Sequence, residues 1–141
     1  MAGILGLDLG EKRTGIAFAS SEVPLAAPLE TFEGQAGKAF VVRLKRLVGE
    51  YRIDRIVVGL PLDLQGSQGI AAQKIRNKVE WLQTEIAGLV WVFWDERLTS
   101  VEAEEMLQEQ GVRRDKRKGL RDQLAAKQIL QSYLDQKIRK S

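Results

Sequence analysis

Three short stretches hold carboxylates where a carboxylate needs a reason. In "GILGLDLG" (3–10), Asp8 sits inside an apolar run, between Leu7 and Leu9. Burying an unpaired charge is costly, so Asp8 must be exposed at a strand end, hydrogen-bonded, or bound to a cation. Gly6 and Gly10 flank it, and glycine lets a ligand approach the backbone closely. The plainer alternative is that Asp8 opens the turn that follows. In "WDERLTS" (94–100), Asp95 and Glu96 end a hydrophobic run. The C-terminal ends of strands in α/β sheets are where ligands gather, although both acids would also suit the dipole of the next helix. In "GLRDQLAAKQIL", Asp122 lies near the start of the last helix, a place the dipole also favours. Ala125 and Ala126 follow it, small residues of the kind that let a helix pack closely on a sheet.

The chain has no cysteine and no histidine. That excludes disulfides, a thiol nucleophile, a typical zinc site, a Ser-His-Asp triad and any histidine acid–base mechanism. Carboxylates on different elements that converge would instead suit Mg²⁺ or Mn²⁺, which prefer oxygen ligands. Two such ions activate a water and stabilise the leaving oxygen in phosphodiester hydrolysis. Coordination would also relieve the mutual repulsion of clustered carboxylates.

A basic run leads into Asp122. In "VRRDKRKGLR", Arg113, Arg114, Lys116, Arg117, Lys118 and Arg121 are interrupted by Asp115. A charge run is often just a solvated face, but its place beside a candidate metal ligand points to phosphate contact. It has no interleaved aromatics, so base stacking is not indicated there. The asymmetry is chain-wide. Residues 1–110 hold 12 basic against 16 acidic side chains, and residues 111–141 hold 10 against 3. The C-terminal part is the candidate polyanion surface.

The elements that must position these residues follow from periodicity. Residues 3–9 and 14–20 read as strands joined by the turn "GEKR", and 23–32 as a third strand. Pro24 and Pro28 cannot donate to a ladder, which places that strand at a sheet edge. Phe40, Val41, Leu44, Leu47, Val48 and Tyr51 recur at helical spacing and predict a helix over about 35–52. A buried strand (55–62), a loop (63–69), a helix (about 70–87) and another buried strand (89–94) follow. Thr99 with Glu102 fits a capping box for the next helix. Residues 111–119 read as a charged loop before the last helix. A three-strand meander followed by alternating helices and strands predicts a mixed five-stranded α/β sheet with helices on its faces.

With 141 residues, 44% hydrophobic and 29% charged, the chain suits one globular domain spanning 1–141. No apolar run reaches membrane-span length, and the N-terminus lacks the pattern of a signal peptide. A cytoplasmic location without membrane association is expected. Neither GxGxxG nor GxxxxGK[ST] occurs. Trp81, Trp91 and Trp94 sit in apolar contexts that suit core positions.

Four blocks, "LDLGEKRTGIA", "IVVGLPLDLQGSQG", "DERLTSVEAE" and "DQLAAKQIL", resemble in order the motifs of the YqgF family. That family is described as pre-16S rRNA nucleases with an RNase H-like fold, related to the RuvC Holliday-junction resolvases. The resemblance spans nearly the whole chain. It implies an RNase H-like sheet and a metal-dependent endonuclease using Mg²⁺ or Mn²⁺. Its acidic, metal-binding and catalytic positions fall on Asp8, Glu96 and Asp122, with Asp95 in the same "DER" block. Lys12, Arg97 and Thr99 match motif positions and are expected to touch substrate, with Arg113, Arg114, Lys116, Arg117 and Lys118 beside them. The implied partner is structured RNA, precursor 16S rRNA in the assembling ribosome, or branched DNA, with the chain a monomer or homodimer. A non-catalytic RNA-binding role on the same fold is the remaining alternative.

Overall fold

The computed structural model describes residues 2–62, 69–95 and 114–140. Five strands form one sheet: β1 (Gly3–Leu9), β2 (Arg13–Ser20), β3 (Ala27–Glu33), β4 (Ile53–Leu60) and β5 (Val90–Asp95). The helices among the described residues are α1 (Lys38–Glu50), α2 (Ile70–Glu85) and α3 (Arg114–Lys140). The strand order is β3-β2-β1-β4-β5. The first three strands are antiparallel, and β4 and β5 add parallel to β1. This is the mixed sheet expected from the meander followed by crossovers, and it puts β1, the strand of Asp8, in the centre.

The connections have local causes. Gly10 N–H donates to the Arg13 carbonyl at 2.9 Å and closes the β1–β2 turn. β3 lies at the edge, and its register against β2 slips between Ile16 and Ala17, where Pro28 has no N–H to give. α1 ends where Tyr51 N–H donates back to Leu47. Arg52 then takes a left-handed conformation (φ 54°), reversing the chain into β4.

Alternation along each strand divides the core in two. On one face, Leu5, Leu7, Ile16, Ile56 and Val58 pack with Phe40 and Leu44 of α1 and Val79 and Leu82 of α2. On the other, Ile4, Ala17, Ala19 and Val57 pack with Ala126, Ile129, Leu130 and Tyr133 of α3. Phe40, Leu5, Leu7 and Leu130 are fully buried. The tryptophans are only partly buried, each against one of the two clusters.

Two expectations shift. Strand ends move by a few residues, so that Asp95 closes β5 rather than following it. Residues 114–119, expected as a charged loop, are the first turns of α3. Arg and Lys are good helix formers, and basic side chains at a helix N-terminus oppose its dipole, which is why the pattern pointed to a loop. The helix expected after Thr99 lies outside the described residues. Among the described residues no helix is long and apolar enough to cross a membrane.

Candidate active site

The site is built by the close approach of α3 to the sheet. Ile4, Gly6 and Asp8 alternate onto the α3 face of β1, and Arg13, Gly15, Ala17 and Ala19 onto the same face of β2. Most of these are small. A Cβ on Gly6 would lie 2.8 Å from the Ala126 carbonyl oxygen and from Leu130 Cβ. A Cβ on Gly15 would collide with the Asp122 carbonyl. Ala125 and Ala126 are buried, so the helix backbone itself lies on the sheet, as their small size predicts.

Gly15 is the register partner of Asp8 across β1 and β2. The glycine that faces Asp8 in the ladder is therefore the one on which Asp122 rests. Two carboxylates separated by more than a hundred residues are brought to one end of one sheet face. Both are partly buried.

The helix register that delivers Asp122 is fixed further along α3. Trp94 Nε1 donates to Ser132 Oγ at 2.9 Å, and the Trp94 and Tyr133 rings meet edge to face at 5.5 Å. Arg55 Nη1 donates to the Tyr133 hydroxyl at 2.6 Å. Gln131 accepts from Ala26 N–H at 2.8 Å and donates to the Pro24 carbonyl at 3.1 Å. The helix is thus tied to β4, to β5 and to the segment before β3.

A residue that the motif reading passed over completes the cluster. Arg13 Nε donates to Asp122 Oδ2 at 3.0 Å, with side chains only 22% and 15% exposed. Its signal in the sequence was its parity with Gly15 on β2, which means little until α3 is docked.

The other expected residues divide clearly. Asp95 pairs with Leu60 at the end of β5. It alternates with Trp91 and Phe93, which pack on the α1/α2 core, so it belongs to the face opposite Asp8. Lys12 is exposed in the β1–β2 turn. Arg114, Lys116, Arg117 and Lys118 are carried on the first turns of α3. Glu96, Arg97, Thr99 and Arg113 lie outside the described residues. The flanking glycines do not serve to leave room for substrate, as the sequence suggested: Gly6 admits the α3 backbone, and a Cβ on Gly10 would strike the Arg13 carbonyl that closes the turn.

A cleft of about 1010 Å³ opens beside the same turn, lined by Leu9, Gly10, Ile70, Lys74, Lys78 and Trp81 among others. Neither Asp8 nor Asp122 lines it. It belongs to the α2 side of the sheet.

The fold is that of the RuvC resolvases. Thermus thermophilus RuvC, solved in complex with a Holliday junction substrate, matches with a TM-score of 0.56 at 16% identity, covering 98% of this chain and 96% of that one. The Fowlpox virus resolvase, solved with Holliday junction DNA, gives 0.57 at 13% identity over 96% and 99%. A family profile described as "RuvX: Holliday junction resolvase" matches residues 2–136. The chain belongs to the RuvX family. Relatives named "putative pre-16S rRNA nuclease" include one from Chloroflexus aggregans, 46% identical over 94% of this chain and 92% of its own. Another, from Dictyoglomus thermophilum, is 42% identical over 94% of each. As a RuvX protein the chain is a nuclease, a hydrolase with the RNase H-like sheet that the YqgF resemblance implied.

The RuvX chain has only hard oxygen donors to offer a cation here, because it holds no histidine or cysteine anywhere. Asp8 and Asp122 fit Mg²⁺ or Mn²⁺, which bind through one or two carboxylates and keep several waters. Among the described residues no group of three or more acidic side chains forms a metal cluster. Asp8 and Asp122 are the candidate ligands that those residues supply.

Proposed function

We propose that the chain is a divalent-metal-dependent endonuclease that hydrolyses phosphodiester bonds in structured RNA, processing the 5′ end of precursor 16S rRNA during ribosome assembly. The observation that carries the reading is the placement of Asp8 and Asp122 together through Gly15, at the end of the central strand. The names of the relatives support the choice of substrate.

In this reading Asp8, Glu96 and Asp122 hold Mg²⁺ or Mn²⁺. The cation, when bound, supplies an activated water and charge stabilisation at the scissile phosphate. Asp8 and Asp122 are held by rigid elements rather than loops, which suits the geometric demands of in-line attack. Lys12 in the β1–β2 turn, Arg113, and the basic start of α3 (Arg114, Lys116, Arg117, Lys118) bind the phosphate backbone, together with Arg97 and Thr99 of the Glu96 block. Asp95, on the opposite face, takes no part. The unit acting is a single domain over 1–141, working in the cytoplasm.

A second reading is cleavage of four-way DNA junctions, favoured by the family description and by the RuvC-like fold. Paired symmetric cuts would then require a homodimer. End-labelled RNA carrying the precursor 16S 5′ leader, and separately a four-way DNA junction, are incubated with Mg²⁺, Mn²⁺ or EDTA, beside Asp8→Asn. Cleavage of the RNA that needs metal and Asp8 is the expected result. Cleavage of the junction alone overturns the RNA reading in favour of the resolvase, and cleavage that survives EDTA overturns metal dependence.

A further inference from the structure

The Arg13–Asp122 pair is a built feature rather than a surface contact. At 22% and 15% exposure the two side chains are largely removed from solvent screening. Both ends are rooted in backbone. The Arg13 carbonyl accepts from Gly10 N–H and its residue pairs with Glu33 in the β2–β3 ladder. The Asp122 backbone rests on Gly15, two residues along β2 from Arg13. The guanidinium therefore meets Asp122 because β2 and α3 dock as they do. Guanidinium remains charged at any working pH, and its planar array of donors matches a carboxylate.

We infer that Arg13 is a positioning residue that stands in for a cation at Asp122: it orients this carboxylate and lowers the affinity of the site for a divalent metal. The inference rests on the metal-dependent reading above. Asp122 Oδ2 is already engaged by Arg13 Nε, so a metal ion must share that oxygen, displace the guanidinium or use the other oxygen beside a fixed positive charge. Each route weakens binding relative to a free carboxylate. The same bond holds the carboxylate in one orientation before the metal arrives, as positioning for catalysis requires. Arg13 thus trades metal affinity for geometry. A merely structural arginine would not: its loss would loosen the site and weaken metal binding and cleavage together.

The test measures Mn²⁺ binding to the protein alone, by the electron-spin resonance of free Mn²⁺, for wild type, Arg13→Gln, Arg13→Lys and Asp122→Asn. Cleavage at saturating Mn²⁺ is followed in parallel. Arg13→Gln is expected to bind Mn²⁺ several-fold more tightly and to cleave more slowly, two effects of opposite sign. Arg13→Lys keeps the charge and is expected to bind within about twofold of wild type, while still cleaving more slowly. Unchanged or weaker Mn²⁺ binding in Arg13→Gln, with wild type binding and Asp122→Asn impaired, overturns this inference and leaves the metal reading intact. Absence of Mn²⁺ binding in wild type overturns the metal reading and this inference with it. Wild-type affinity in Asp122→Asn removes Asp122 from the metal site and overturns the inference at its root. A readout without variants guards against misfolding: the Arg13 Nε–H nuclear magnetic resonance signal in the wild-type protein during Mg²⁺ titration. Perturbation of that signal with saturable Mg²⁺ binding is expected, and an unmoved signal at saturation overturns the competition.

Discussion

The carbonyl of Asp122 rests over the bare Cα of Gly15, closely enough that no side chain fits between them. Gly15 is also the ladder partner of Asp8. One glycine therefore sets how near the last helix comes to the central strands, and with it the spacing of two candidate ligands. Gly15→Ala puts a methyl group against backbone, which cannot rotate away. The expected loss of stability is about 3 kcal/mol, at the upper end for overpacking, read from urea unfolding. Nuclease activity should fall further than the unfolded fraction explains, because α3 must lift at Asp122. Wild-type stability and activity in this variant would show that the helix is not held at that distance.

Asp8→Asn and Asp122→Asn preserve size and remove charge. Each is expected to reduce cleavage by at least ~100-fold, since losing a ligand removes several kcal/mol of charge stabilisation. Circular dichroism should remain that of the wild type. The two variants should differ in stability. Asp122→Asn gives up the charge of the Arg13 ion pair, which is mostly buried, and should melt at a lower temperature than wild type. Full activity in either variant would take that carboxylate out of the chemistry.

The "DER" block offers a sharper contrast. Asp95 alternates onto the α1/α2 face with Trp91 and Phe93, away from Asp8. Asp95→Asn is therefore expected to keep cleavage within about threefold of wild type, a change of no more than about 0.7 kcal/mol in the barrier. Glu96→Gln is expected to lose it as Asp8→Asn does. Initial rates on the same RNA decide the matter, and the reverse ranking would assign the metal-binding role to Asp95.

Much of this architecture was legible in the residues. The meander, the parallel additions and the edge position of β3 followed from period-two runs, Pro28 and the switch to helical spacing. The central place of β1, the strand of Asp8, came only with the pairing of β4 beside it. Ala125 and Ala126 announced a helix packed tightly on a sheet. What could not be read was anything that depends on how α3 docks. Arg13 and Asp122 are 109 residues apart, and no local pattern links them. Gly6 looked like room for a ligand, because a glycine that admits a helix backbone has the same sequence signature as one that admits a substrate. The N-terminal turns of α3 were also hidden, since clustered basic residues there run against the helix dipole. The face that Asp95 takes needed the true end of β5, and strand ends are set by pairing with β4 rather than by composition.

The basic run that enters α3 is the candidate phosphate-binding surface. Residues 111–141 carry a large positive excess on a chain whose remainder is net negative. If Arg113, Arg114, Lys116, Arg117 and Lys118 contact phosphates, they do so by counterion release. Binding should then weaken steeply with salt, by about 0.7 to 0.9 in the log–log slope for each phosphate neutralised. Replacing all five with glutamine, a good helix former, removes charge without breaking α3. The expected result is weaker RNA binding at low salt and a slope shallower by about 2 to 4.5, if three to five contacts are lost. The affinities of wild type and variant should converge as salt rises. Each single replacement should remove no more than about one unit of slope and affect all sequences alike, because phosphate contacts position the strand without reading its bases. Fluorescence anisotropy across a salt series measures both quantities at once. An unchanged slope in the quintuple variant would make the run a solvated face and move the substrate path elsewhere, the nearest candidate being the Lys74–Lys78 side of the cleft on α2.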